Sequence, residues 1–116
     1  MNNKHIEVFN DTKVFVVAPA GLVTGGAEIL HSLVYTLKKH LGVESYIYYH
    51  PFPYENVPKE YEEYGVEIAN SIEDDSRNIL VVPEVVDLLK FAKKFRNIRK
   101  VVYWLSVDFF YRSMFV

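Results

Sequence analysis

The chain has 116 residues, enough for one domain, and half of them are apolar, so it can bury a sizeable core. Its 13 basic residues against 15 acidic ones give a net charge of −2, which leaves no electrostatic footprint for nucleic acid. No cysteine is present, which excludes disulfides and thiolate zinc sites.

Residues 1–12 are polar around a small apolar island, Ile6, Val8 and Phe9, and read as an N-terminal arm or an extra edge strand. They contain no apolar leader, and no stretch of the chain is long enough to span a membrane. The expected compartment is therefore the cytoplasm, with membrane contact at most peripheral. Residues 13–116 read as one domain organised around Lys13 to Gly42. Val14 to Ala18 is an unbroken apolar run, as in a strand covered on both faces. Pro19 closes it, because proline cannot donate to a ladder. A loop ending in Gly25 and Gly26 leads into an amphipathic helix, with Ile29, Leu30, Leu33, Val34, Leu37 and Leu41 expected on its buried face. Glu28 in the first turn and Lys38, Lys39 and His40 in the last suit the helix dipole. Gly42 suits a left-handed C-terminal cap.

Glu44 to Tyr49 is a run of β-formers, ending at His50-Pro51. Prolines 51, 53 and 58 make the following segment a loop. A short helix is expected over Lys59 to Tyr64, closed by Gly65, then a short third strand over Val66 to Ile68. Residues 70–78 are polar and turn-like. Ile79 to Val82 is a buried fourth strand, followed by a helix over Glu84 to Phe95 with Val85, Leu88, Leu89, Ala92 and Phe95 inward. Lys100 to Leu105 is a fifth strand. Alternating strands and helices imply an α/β fold, a Rossmann-like three-layer parallel sheet of order 3-2-1-4-5. Ligands of such sheets collect beyond the carboxyl ends of the strands. Those ends carry Gly21 to Gly26, His50, Glu84, Ser106 and Asp108, so one shared cleft is expected.

The glycine loop leaves helix N–H groups open to an anion. Its G-x-x-x-G-G spacing is neither the dinucleotide pattern nor a Walker A loop, and on pattern alone a tight strand-to-helix turn is the better account of it. His50 suits substrate binding or proton transfer, or is a solvated strand-end histidine. Glu84 suits sugar hydroxyls or complements a helix dipole. Asp108 follows a buried strand, or caps a helix beginning at Phe109. Glu73, Asp74 and Asp75 lack the alternating spacing of a calcium loop and read as a solvated turn, so no metal is expected. Lys93, Lys94, Arg96, Arg99 and Lys100 form a basic cluster, read as a solvated helix end or a weak membrane-facing patch.

With these elements in place, VFVVAPAGLVTGGAEILHSLVYTLKKHLG resembles the opening of GT-B glycosyltransferases, especially the retaining, glycogen-synthase-like group. There the first strand runs into a loop closing on Gly-Gly-Ala/Pro-Glu and an amphipathic helix. NILVVPEVV and RKVVYWLSVD are similar to the fourth and fifth strands of the same N-terminal domain. The resemblance implies an enzyme that moves a sugar from a nucleotide-sugar donor to a glycan or other acceptor, without a cofactor. It implies that Gly25 and Gly26 face the donor diphosphate, that Thr24, His50, Glu84 and Ser106 belong to the acceptor cleft, and that Asp108 is the catalytic candidate. The family's C-terminal donor domain, with its E-x7-E motif, has no counterpart here; Glu55 and Glu63 have that spacing, but Pro58 interrupts them. The chain thus reads as a truncated N-terminal domain or one half of a split enzyme, inactive alone. Its apolar tail, Phe109 to Val116, is expected to meet the missing domain or a second copy. The rival readings are a stand-alone module binding a phosphorylated small molecule and a domain that dimerises through the aromatic C-terminus.

Overall fold

The computed structural model describes residues 6–20, 25–51 and 56–103. Among them, β1 (Lys13–Pro19), β2 (Glu44–His50), β3 (Ile79–Pro83) and β4 (Arg99–Tyr103) form a parallel sheet of order β2-β1-β3-β4. Helix α1 (Gly25–Leu41) follows β1 and α2 (Val86–Ala92) follows β3, with a 3₁₀ helix over Lys59–Tyr64 between β2 and β3. The architecture is α/β with an all-parallel sheet.

The unbroken apolar run is the central strand. Val14 to Ala18 are all buried, and β1 has β2 on one edge and β3 on the other. β2 alternates instead, because its successive side chains enter two different layers. Ser45 and Tyr49 meet α1: the Ser45 hydroxyl donates to the Val34 carbonyl at 3.0 Å, and Tyr49 reaches His31. Tyr48 and His50 meet α2, both against the ring of Phe91. The two helices therefore cover opposite faces of the sheet.

Several expectations need correction. Four strands stand where five were expected, because Val66 to Ile68 contributes one bridge, Ile47 to Ile68, on the outer edge of β2. Gly65 at φ 61° and the polar residues from Asn70 onward leave too short a run for a ladder. The α1 stripe is rotated: Ala27, Leu30, His31 and Val34 are buried, whereas Ile29 is 43% and Leu41 66% exposed. α2 is shorter than Glu84 to Phe95. Val85 is still extended, and the N–H groups of Lys93, Lys94 and Phe95 bond three residues back, tightening the end into 3₁₀ turns. β4 spans Arg99–Tyr103, beginning one residue before the expected Lys100, and Trp104 and Leu105 lie outside the described residues. Residues 6–12 form an arm, one of the two forms expected of this segment.

That arm is tied to the amino ends of the strands. The Thr12 hydroxyl accepts from the Phe9 N–H and donates to the Arg77 carbonyl, each at 2.8 Å. Arg77 pairs with Asp11 at 2.7 Å, and its guanidinium lies 4.3 Å from the centre of the Phe9 ring. Arg99 folds back on the same ring and donates to the Glu7 carbonyl, so the basic cluster expected over residues 93–100 is not one patch. The acidic run is divided among separate partners. Glu73 pairs with Lys13, Asp75 accepts from the Arg77 N–H, and Asp74 accepts from the N–H groups of Arg96, Asn97 and Ile98. Those N–H groups, that of Ile98 foremost, hold the Asp74 carboxyl below the usual carboxylate range.

Gly42 closes α1 at φ 66°, with the Val43 N–H on the Leu37 carbonyl at 2.9 Å. A Cβ there would meet nothing within 4 Å, so Gly42→Ala carries only the cost of the left-handed backbone. The expected loss is ~1 kcal/mol, read as a lower urea midpoint at unchanged m value.

Candidate functional site

The carboxyl ends of β1 and β2 open into a cleft of about 520 Å³. Pro19 and Ala20 enter it from β1, and His50 and Pro51 from β2. The Ala20 N–H donates to the His50 carbonyl at 2.7 Å, which holds the two strand ends together past the last ladder pair. α2 supplies the opposite wall, with Val85 before it, Leu88 and Phe91 on the apolar side and Asp87, Lys90 and Lys94 at the polar edge.

Phe91 is the hinge of this wall. It is 8% exposed, stacks on Tyr48 at 5.5 Å between ring centres and meets the His50 imidazole at 4.3 Å. The Lys94 ammonium lies 4.8 Å above the same ring. Imidazole and ammonium thus both pack on the buried phenyl ring. Lys90 and Asp87 make no ion pair among the described residues.

Of the residues expected in a shared cleft, His50 lines it. Gly25 and Gly26 open α1, where the first N–H groups of a helix lack intrahelical acceptors. Glu84 directly precedes Val85 of the cleft wall. It lies before α2 rather than in its first turn, and its Oε1 is buried without a hydrogen-bond partner among the described residues. Thr24, Ser106, Asp108 and the tail from Phe109 to Val116 lie outside the described residues.

A polar cluster that hydropathy did not reveal lies on the other face of the sheet. His31 is 1% exposed. Its Nδ1 is 2.7 Å from the Ala27 carbonyl, its Nε2 2.7 Å from the Tyr49 hydroxyl, and its ring stacks on Tyr61 at 4.2 Å. A carbonyl only accepts, so Nδ1 carries the proton and Nε2 accepts from Tyr49. Burial pushes the His31 pKa below its ordinary value, partly opposed by the bond to Ala27. The neutral imidazole joins the first turns of α1 to Tyr49 of β2 and to Tyr61 of the 3₁₀ helix. The signal in the sequence was its position, four residues after Ala27 and one after Leu30.

No group of three or more metal-ligating side chains occurs among the described residues, and none of their helices is long and apolar enough to cross a membrane. No family model, no curated protein and no solved structure matches this chain.

Proposed function

We propose that this chain is the acceptor-side, Rossmann-like domain of a GT-B glycosyltransferase, and that the cleft beyond β1 and β2 holds the glycosyl acceptor. The observation that carries the reading is the composition of that cleft: the half-buried His50 imidazole, backed by the Phe91 ring, bordered by a carboxylate and two ammonium groups. Sugar rings bind by laying C–H faces on aromatic rings and directing hydroxyls at charged partners. Gly25 and Gly26 present helix N–H groups suited to a diphosphate. In transfer, the acceptor hydroxyl attacks the donor's anomeric carbon and the nucleoside diphosphate leaves. This chain's part is to hold the acceptor and to stabilise charge on the departing diphosphate.

The test is calorimetric titration and a transfer assay with a panel of nucleotide sugars, with this chain alone and mixed with a separately expressed donor-binding domain of a GT-B glycosyltransferase. Transfer or tight donor binding only in the mixture is expected. Tight binding of a nucleotide sugar by the 116-residue chain alone would instead establish a self-sufficient binding module.

A further inference from the structure

The outer edge of β2 is covered by one short stretch. The Ile47 N–H donates to the Glu67 carbonyl at 2.9 Å, and the Ile47 carbonyl accepts from the Ala69 N–H at 2.8 Å, around a single bridge to Ile68. Two hydrogen bonds do not offset the entropy of fixing such a segment, so its hold depends on the 3₁₀ helix directly before it. Gly65 joins the two, with its N–H on the Glu62 carbonyl at 3.1 Å. The 3₁₀ helix in turn rests on α1. Its Tyr64 hydroxyl donates to Glu28 at 3.0 Å and its Tyr64 ring meets that of Tyr35, while Glu67 pairs with Lys38. These polar contacts are exposed and contribute little. The buried contact is that of Tyr61, 3% exposed, with the ring of His31.

We propose that His31 is an acid-sensitive latch: protonation of its imidazole releases the 3₁₀ helix and uncovers the outer edge of β2 while the rest of the sheet stays folded. The side chains that face the ring are Tyr49 from β2 and Tyr61 from the 3₁₀ helix, and no carboxylate bonds to it among the described residues. Glu28 in the preceding turn of α1, Glu44 on β2 and the charged side chains from Lys59 to Glu63 are exposed. His50 meets Phe91 on the opposite face of the sheet. A second proton goes onto Nε2, where the Tyr49 hydroxyl now donates, and leaves a buried cation without a counter-charge. Water relieves that cation only if one wall of the cluster moves. α1 and β2 are fixed to each other by the buried bond from Ser45 to the Val34 carbonyl, and β2 to β1 by its full ladder, so the 3₁₀ helix is the wall that yields. An uncovered edge strand is a template for pairing with another chain, so acid turns a closed edge into an open one. The latch lies on the face of the sheet away from α2 and does not depend on the acceptor-cleft reading.

The experiment is amide hydrogen exchange of the full chain, followed by ¹H–¹⁵N NMR between pH 7.5 and 5, corrected for intrinsic exchange, with and without low urea. The Ile47 and Ala69 amides report on the outer edge of β2, and the amides of β1 report on the sheet as a whole. Protection at Ile47 and Ala69 is expected to be lower than in β1 at every pH and insensitive to urea, as for a local opening. It is expected to fall by up to about tenfold per pH unit below about 6.5. His31→Gln, which cannot take up the proton, is expected to flatten that dependence. Protection at the two edge amides that does not change with pH would overturn the proposal. So would protection equal to that of β1 with the same urea dependence, because the opening would then be global. A variant that kept the wild-type pH dependence would overturn it as well. If the variant does not fold, the pH and urea dependences of the natural chain decide the matter alone.

Discussion

Phe91→Ala is expected to lower the stability of this domain by about 3–5 kcal/mol and to abolish ligand binding in the cleft. Phe91 is buried and packs against Tyr48, His50 and Phe95 at ring distances of 5.5, 4.3 and 5.3 Å. Truncation opens a void between α2 and the edge of β2, and the strand cannot collapse into it because β1 holds its ladder. Small domains are stable by about 5–15 kcal/mol in total, so this one side chain accounts for a large share. Urea denaturation measures the loss directly. Phe91→Leu separates the two effects. It keeps most of the volume, costs about 1.5 kcal/mol or less, and still removes the ring under His50 and Lys94. A leucine variant that retained full affinity for a glycosyl acceptor would show that the ring behind His50 does not shape the site.

The second large effect is loss of stability in mild acid. His31 is neutral in the fold and its pKa is depressed by burial, so the unfolded chain binds a proton that the folded chain refuses. A histidine of this kind contributes its full stability above its unfolded pKa, about 6.5. That contribution falls as pH drops through 6.5 toward the lower folded value, by up to ~1.4 kcal/mol per pH unit, and then levels off. Protonation would also place a donor on Nε2, opposite the hydroxyl proton of Tyr49. The depressed carboxyls of Asp11 and Asp74 add their own losses at lower pH, as it falls through the ordinary carboxylate range toward their folded values. Urea midpoints between pH 7.5 and 5 test this. His31→Gln is expected to start lower and to follow a flatter course across that range. A wild-type slope identical to the variant's would mean that His31 does not titrate with unfolding.

The sequence spelled out the elements whose signals are local. Val14 to Ala18 read as a doubly covered strand because every residue is apolar, and all five are buried. Gly42 and Gly65 marked turns that need positive φ, and both have it. What hydropathy missed was decided by tertiary contacts. His31 belongs to the buried stripe of α1 because both ring nitrogens find partners there, and counting it as polar turned the expected stripe toward Ile29 and Leu41. The third strand was lost because β-forming residues cannot show how few of them will reach a neighbour. In the site, His50 was legible as the last residue of a strand. Phe91 was not, although it stands three residues after the buried Leu88, because nothing local says that two aromatic side chains from β2 converge on it. The pairing of Lys94 with that ring has the same origin.

The position of β1 has a consequence for how the chain is made. Its neighbour β2 follows after a single helix, so β1, α1 and β2 can assemble as soon as that stretch has left the ribosome. Its other neighbour comes much later: the Lys13 N–H reaches the side chain of Asn78, 65 residues onward. Until Ile79–Pro83 emerges, the central strand of the sheet has an open edge on that side. The nascent chain is then most exposed to pairing with another chain, and synthesis of β3 ends that interval.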